Sequence, residues 1–296
     1  MRYAVVVPNW APFTQDVMIQ IAVEAEALGY DHVFYTDHIM NPYAEKQGLE
    51  ETTVESWSLI SHVAAKTSTI RLGTAVTPIS LRPPALLAKQ IATIDNLSGG
   101  RIDVGVGVGW SEGSYGVLDT EFGTQESRIA RMREGVDLML RLWTEDRVDF
   151  DGQYYKAHDA VVAPKPVQQP HPPLWVGGWK EPARSAVSEV GQGWIPWNLY
   201  PDRYAANRAL IEEAAQALGR ADQITYGTAV LVLPDRMRDD PDIAMAHGKP
   251  PPHITASTMA PTVQEYAGAG ADLFAVFPFP ASDALDVVRQ FAAQML

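Results

Sequence analysis

Cysteine is absent from this 296-residue chain, which excludes disulfides, thiolate metal sites and cysteine nucleophiles and fits a reducing compartment. Positive charge is scarce. With 23 Lys and Arg against 36 Asp and Glu, the formal net charge is −13, so neither nucleic acid nor an anionic membrane is the expected partner. No apolar run is long enough to span a bilayer, and the apolar part of MRYAVVVPNW is too short for a secretory leader. The expected location is the cytoplasm. The seven histidines show no HExxH and no paired zinc-ligand spacing, so no metal is expected. GxSxG and GxxxxGK(S/T) are missing too, which leaves serine-hydrolase and P-loop chemistry without a foothold.

The residues that are present alternate between short apolar runs and amphipathic stretches. YAVVV, HVFYTDHIM, IRLGTAV, RIDVGVGVG, PLWVGG, GWIPW, QITYGTAVLVL and DLFAVFPFP read as strands. Continuous apolar runs of this kind suit strands covered on both faces, as in parallel sheets. Each is followed by a stretch with helical spacing. The first has a Thr14 cap and a Gly29 stop; the third opens on Pro84 and ends at Gly99-Gly100. RVDFDGQYY alternates around Asp151-Gly152, a hairpin signal, within an excursion over roughly 144–173. A polar, proline-rich stretch over 234–257 reads as a long loop. Eight strand–helix pairs without a linker imply one (β/α)₈ TIM barrel over 1–296, with insertions. A doubly wound sheet is the runner-up. Its G-x-G-x-x-G fingerprint fails, because Gly105, Gly107 and Gly109 are in the wrong register and the following SEGSYGVL is turn-like.

In such barrels, chemistry sits at the carboxyl ends of the strands. Those ends carry Gly, Trp and Pro and few carboxylates, which favours a large planar ligand over a sugar or a hydrolytic water. The alternating glycines of the fourth strand call for a flat ligand, or another backbone, lying close. Asp37-His38 is the acid/base candidate; it reads equally as a structural cap, and its strand-end position favours function. Gly177-Gly178 precedes a helix, where amides and the helix dipole hold phosphate, although alone it reads as a tight turn. Lys180 reads as a solvated lysine.

LAKQIATIDNLSGGRIDVGVGVGW, LRLWTED, VDFDGQYY, APKPVQQPHPPLWVGG and GQGWIPW, in this order, resemble the luciferase-like flavin and deazaflavin oxidoreductases. Within that superfamily the chain is similar to the branch using coenzyme F420, an 8-hydroxy-5-deazaflavin. The resemblance implies an F420-dependent oxidoreductase moving hydride to or from a small apolar organic substrate, with FMN-dependent monooxygenase or a non-catalytic flavin carrier as alternatives. It implies that Thr36-Asp37-His38 lies beside the reacting ring carbon, with His38, oriented by Asp37, handling the proton. It places a non-prolyl cis bond at Ala75-Val76, behind the ring and after Thr74. Gly107, Val108, Gly109 and Trp110 would give access to the ring face, and Gly177, Gly178 and Trp179 would hold the phosphate and tail. Sugar-phosphate dehydrogenases of this branch carry Glu as general acid where this chain has Trp110. Glu112 is the carboxylate nearby, so sugar oxidation is in doubt. Trp10, Tyr43, Trp110, Trp179, Trp194 and Trp197 instead suggest an aromatic substrate pocket, with His247 and Lys249 of the late loop closing over it. Members commonly pair through barrel helices, so a homodimer is expected.

Overall fold

Runs such as YAVVV and LFAVFP hold no charged side chain because each strand is covered twice, by helices outside and by its neighbours' side chains inside. The computed structural model describes residues 1–44, 50–237 and 253–296. Its strands are β1 (Arg2–Val7), β2 (His32–Tyr35), β3 (Arg71–Thr74), β4 (Thr77–Pro78), β5 (Ile102–Gly107), β6 (Val148–Asp151), β7 (Lys156–Ala160), β8 (Leu174–Gly177), β9 (Gly193–Ile195), β10 (Thr225–Leu233), β11 (His253–Thr255) and β12 (Leu273–Pro278). Its helices are α1 (Gln15–Leu28), α2 (Ser56–Ala64), α3 (Pro84–Ser98), α4 (Glu112–Val117), α5 (Gln125–Thr144), α6 (Glu181–Val190), α7 (Pro201–Ala217), α8 (Met259–Gly268) and α9 (Ala284–Met295). The parallel order β1-β2-β3-β5-β8-β9-β10-β12 returns to β1, so the sheet closes on itself. This is the eight-stranded (β/α)₈ barrel expected from the strand count.

Helix ends follow the sequence signals. Thr14 Oγ1 accepts from the Val17 amide at 3.4 Å, and α3 ends at Gly99 with φ +69°, a left-handed residue that glycine adopts without strain. Three local expectations need correction. SEGSYGVL contains the short helix α4, fixed by Tyr115, whose buried hydroxyl donates to Val108 O at 2.7 Å. The third strand is not continuous: it breaks after Thr74, passes the cis Ala75-Val76 bond and resumes as β4. The late stretch contributes β11. Only the first two residues of β10 pair with β9, leaving its far end an open edge, and Leu231–Leu233 pairs there with β11. His247 and Lys249 lie outside the described residues.

Two apolar clusters result. The outer one lies between strands and helices. The inner one fills the barrel with Ala4, Val6, Phe34, Trp175, Ile195, Leu273 and Ala275 among others. Trp175 is its floor, taking the space a side chain at Gly193 would need: a Cβ there would stand 2.2 Å from the indole. Below it, Asp103 accepts from Arg71 Nε at 2.7 Å and from Trp175 Nε1 at 3.1 Å. The β6–β7 hairpin is held by Glu134, whose carboxylate accepts from the amides of Gln153, Tyr154 and Tyr155. The chain then crosses the amino-terminal end of the barrel, where Gln168 bonds Asp95 and accepts from Arg71.

His32 is stacked on Phe34 at 5.5 Å in this interior, with Nδ1 buried and unpartnered. Burial lowers its pKa to about 4, outweighing the upward pull of Asp103. The unfolded chain takes up this proton near pH 6.5 and the folded chain only near 4. Stability from this site is therefore level above pH 6.5 and falls as pH drops through that window, by about 3 kcal/mol in all. Melting temperature measured from pH 7 to pH 4 is expected to fall less steeply for His32→Phe than for the parent chain. Parallel curves overturn the assignment.

Candidate active site

The residues after β1, β2, β3, β5, β9 and β12 converge at the carboxyl mouth. β1 and β2 run side by side with Val7 opposite Tyr35, so Asn9-Trp10 and Asp37-His38 emerge together. The return limb of the loop after β2 folds back onto them, with Trp10 bridged to Thr53 and the Val54 amide donating to Asn9 O at 2.8 Å. His38 stands between two indoles, edge-on to Trp10 at 4.9 Å and to Trp110 at 5.5 Å. Tyr43 lies 5.7 Å from Trp10 and 6.0 Å from Trp110. Phe277 continues the wall, 6.4 Å from Trp10 and 4.6 Å from Trp197.

The His38 imidazole is half-buried, and among the described residues no group hydrogen-bonds it. Its apolar surroundings lower its pKa to about 4, so it is neutral at neutral pH, with one nitrogen able to donate and one to accept. Burial raises the Tyr43 phenol. The site therefore offers a neutral donor/acceptor ring inside an aromatic wall.

Asp37 does not orient His38. Its carboxylate, 2% exposed, is gripped by Arg82, with Nη1–Oδ2 2.7 Å and Nη2–Oδ1 2.8 Å, and it accepts from Thr77 Oγ1 at 2.8 Å. Arg82 also reaches Glu55. Burial opposes its charge, yet the two carboxylates hold its pKa above the usual arginine value. Thr74 has no exposed surface and donates to Gly105 O at 3.1 Å. Asp37 and Thr74 are thus buried wall residues at the strand ends, their side chains bonded to Arg82, Thr77 and the Gly105 carbonyl.

The glycines of β5 are approached closely, as their alternation implies, and what approaches them is residues 74–76 of the neighbouring strand. A Cβ at Gly107 would lie 2.5 Å from Val76 Cγ2, one at Gly177 2.9 Å from the same atom, and one at Gly105 1.7 Å from Thr74 O. The hollow that they leave is filled by Val76 and by the backbone before it. The surface facing the mouth here is half-buried Ala75 and Val76. At Gly109, φ is +72° and a side chain would strike the Tyr115 hydroxyl at 2.6 Å. Val108 is half-buried beside it and Trp110 is 55% exposed.

Gly177 ends β8, and Gly178 and Trp179 are exposed in the turn that leads to α6. In the first turn of that helix Pro182 has no N–H, and the amides of Ala183 and Arg184 donate to Lys180 O at 2.9 and 3.1 Å. Trp194 leaves the aromatic group: it is fully buried, stacks on Tyr204 at 5.0 Å and donates to Gly178 O at 2.8 Å. Glu112 is exposed in the first turn of α4, with no hydrogen bond to a site residue among those described. Sequence reasoning missed Arg82 altogether. The signal for Arg82 was its place in SLRPP, at the foot of α3 and just past the third strand end.

Comparison with known proteins bears on this geometry. The family model for luciferase-like monooxygenase matches residues 9–246. An F420-dependent glucose-6-phosphate dehydrogenase of Intrasporangium calvum is 36% identical over 181 residues, 60% of this chain and 52% of that one. An FMNH(2)-dependent dimethylsulfone monooxygenase of Pseudomonas putida is 33% identical over 213 residues, 72% of this chain and 57% of that one. The chain spans about half the length of these curated relatives. Among solved structures, an F420-dependent secondary alcohol dehydrogenase in complex with an F420-acetone adduct superposes with a TM-score of 0.84 at 18% identity, covering 98% of this chain and 97% of that one, a likeness of fold. The chain belongs to the luciferase-like monooxygenase family.

Proposed function

We propose that this protein is an F420-dependent oxidoreductase acting on a small, apolar organic substrate. The observation that carries the reading is the His38 imidazole, edge-on between Trp10 and Trp110 and without a hydrogen bond among the described residues, at the strand end next to the Ala75-Val76 shelf. The residues fit a flat tricyclic ring. Ala75 and Val76 present an apolar face backed by solid packing, and the exposed turn Gly178 to Lys180 opens beside it at the neighbouring strand end. When bound, the deazaflavin supplies or accepts the hydride. His38 gives or takes the matching proton at a ring nitrogen, and the aromatic wall excludes water. The proposed enzyme is a cytoplasmic homodimer; no helix among the described residues is long and apolar enough to cross a membrane.

The relatives that act on glucose 6-phosphate do not settle the substrate. A hexose presents a hydroxyl on nearly every carbon, and among the described residues the side-chain polar groups of this wall are few: His38, the Tyr43 hydroxyl and the indole N–H groups of Trp10, Trp110 and Trp197. Each buried hydroxyl left unpaired costs about 1–3 kcal/mol, so two or more amount to roughly a hundredfold in kcat/KM. The test is a fluorescence titration with F420 and with FMN, followed by anaerobic turnover on neutral cyclic enones, secondary alcohols and glucose 6-phosphate. Expected are F420 binding and a preference of about a hundredfold for the neutral compounds. A second reading, an FMN monooxygenase, is favoured by the Pseudomonas putida relative. Binding of FMN alone with oxygen-dependent product would establish it instead.

A further inference from the structure

We propose that Asn9, locked by Thr36, is the positioning residue for the His38 imidazole; this rests on the oxidoreductase reading above. Nothing hydrogen-bonds the ring among the described residues, and its neighbours are edge contacts with two indoles. Its place over the mouth is therefore set by the backbone of residue 38. One side chain takes both polar groups of that backbone. Asn9 Oδ1 accepts from the His38 amide at 3.1 Å, and Asn9 Nδ2 donates to His38 O at 2.8 Å.

Asn9 is itself fixed and fully buried. Its Oδ1 also accepts from Thr36 Oγ1 at 2.9 Å, its Nδ2 also donates to Val54 O at 2.8 Å, and its own amide donates to Thr36 Oγ1 at 2.9 Å. A carboxamide is the side chain of this length that donates and accepts from adjacent atoms. A carboxylate keeps the acceptor and sets a second oxygen against two carbonyls; a serine reaches neither. Asn9 also directly precedes Trp10, one of the two jaws on the imidazole. Four side-chain bonds of one residue thus fix the backbone that carries the ring and the wall beside it. A loop staple alone would need only the tie between Asn9 and Val54.

The variants are Asn9→Asp, Thr36→Val and Thr36→Ser, compared with the parent chain. Misplacing a reacting group by about 1 Å can cost on the order of a hundredfold. For Asn9→Asp and Thr36→Val we expect kcat with reduced F420 to fall at least about tenfold, while KM and F420 affinity stay within about twofold of the parent values. Thr36→Ser, which keeps the hydroxyl, restores turnover. In the coenzyme-free protein, the ring-proton NMR signals of His38, assigned by their loss in His38→Ala, are expected to shift or broaden in the first two variants and return in the third. If Asn9→Asp and Thr36→Val only lower the melting temperature, and kcat per folded molecule and the His38 signals stay as in the parent chain, the proposal is overturned. A parent chain that neither binds F420 nor turns over sinks the oxidoreductase reading. The NMR comparison still decides the clamp in that case.

Discussion

Gly107→Ala is expected to abolish F420 binding and lower stability by about 1–3 kcal/mol, and Gly107→Ala combined with Val76→Ala is expected to recover both. The reason is local. Val76 leaves the sheet at the break in the third strand, and its two γ-methyls occupy the hollow over Gly105, Gly107 and Gly177, at 2.5 Å from the position a Cβ would take at Gly107. Wall packing closes off retreat downwards, so the valine and its backbone move into the mouth, where the coenzyme ring would rest. Removing the γ-methyls removes the collision. Gly105→Ala must behave differently. There the added carbon meets Thr74 O at 1.7 Å and Thr74 C at 2.7 Å, which are backbone atoms of the neighbouring strand. No side-chain truncation relieves that contact, so Gly105→Ala is expected to be insoluble or to melt far below the parent, with or without Val76→Ala. Thermal melts and coenzyme titrations on the four variants check this. A double variant that behaves like Gly107→Ala overturns the account.

The same glycines show how far the sequence could be read. Alternating Gly in an apolar strand says that something lies close, and that is correct. What lies close comes from residues 74–76, and sequence spacing does not say that the third strand breaks there and drops a valine into the fourth strand's hollow. The eight strands were legible because each is a continuous apolar run bounded by turn residues. With the strands in place, the strand-end rule brings Trp10, His38, Ala75, Trp110 and Gly177 to one mouth. Trp194 was misplaced for an avoidable reason. Side chains alternate along a strand, and Gly193 and Ile195 face the interior, so Trp194 has to face the helices. The Asp37–Arg82 pair was out of reach in another way. The two residues are 45 positions apart, and nothing in a dipeptide beside a histidine shows that its carboxylate turns the other way. β11 is three residues long, too short for any period to register, and exists because β10 outruns β9.

That turn of Asp37 separates the two members of the Asp-His dipeptide experimentally. His38→Ala is expected to lower kcat by about 10²–10⁴-fold, the range for losing a positioned proton-transfer group, with F420 affinity and melting temperature little changed. The imidazole makes no hydrogen bond to the rest of the fold among the described residues, and burial disfavours its charged form, so removing it frees no buried partner. Asp37→Ala is expected to do the reverse. It strands the Arg82 guanidinium, whose side chain is 11% exposed, with Glu55 as its one remaining carboxylate among the described residues, and leaves Thr77 Oγ1 with Thr74 Oγ1 in place of a carboxylate. Breaking one side of such a buried pair costs about 3–5 kcal/mol. Its activity loss should therefore track the unfolded fraction and vanish when kcat is referred to folded protein. The pH profile gives a further check. With a pKa near 4, His38 stays neutral between pH 5 and pH 8, so kcat of the parent chain for substrate oxidation, where the imidazole takes up the proton, should be flat across that range. A kcat for His38→Ala within about fivefold of the parent, well short of the expected range, would show that the proton travels by another route and that the imidazole is only part of the wall.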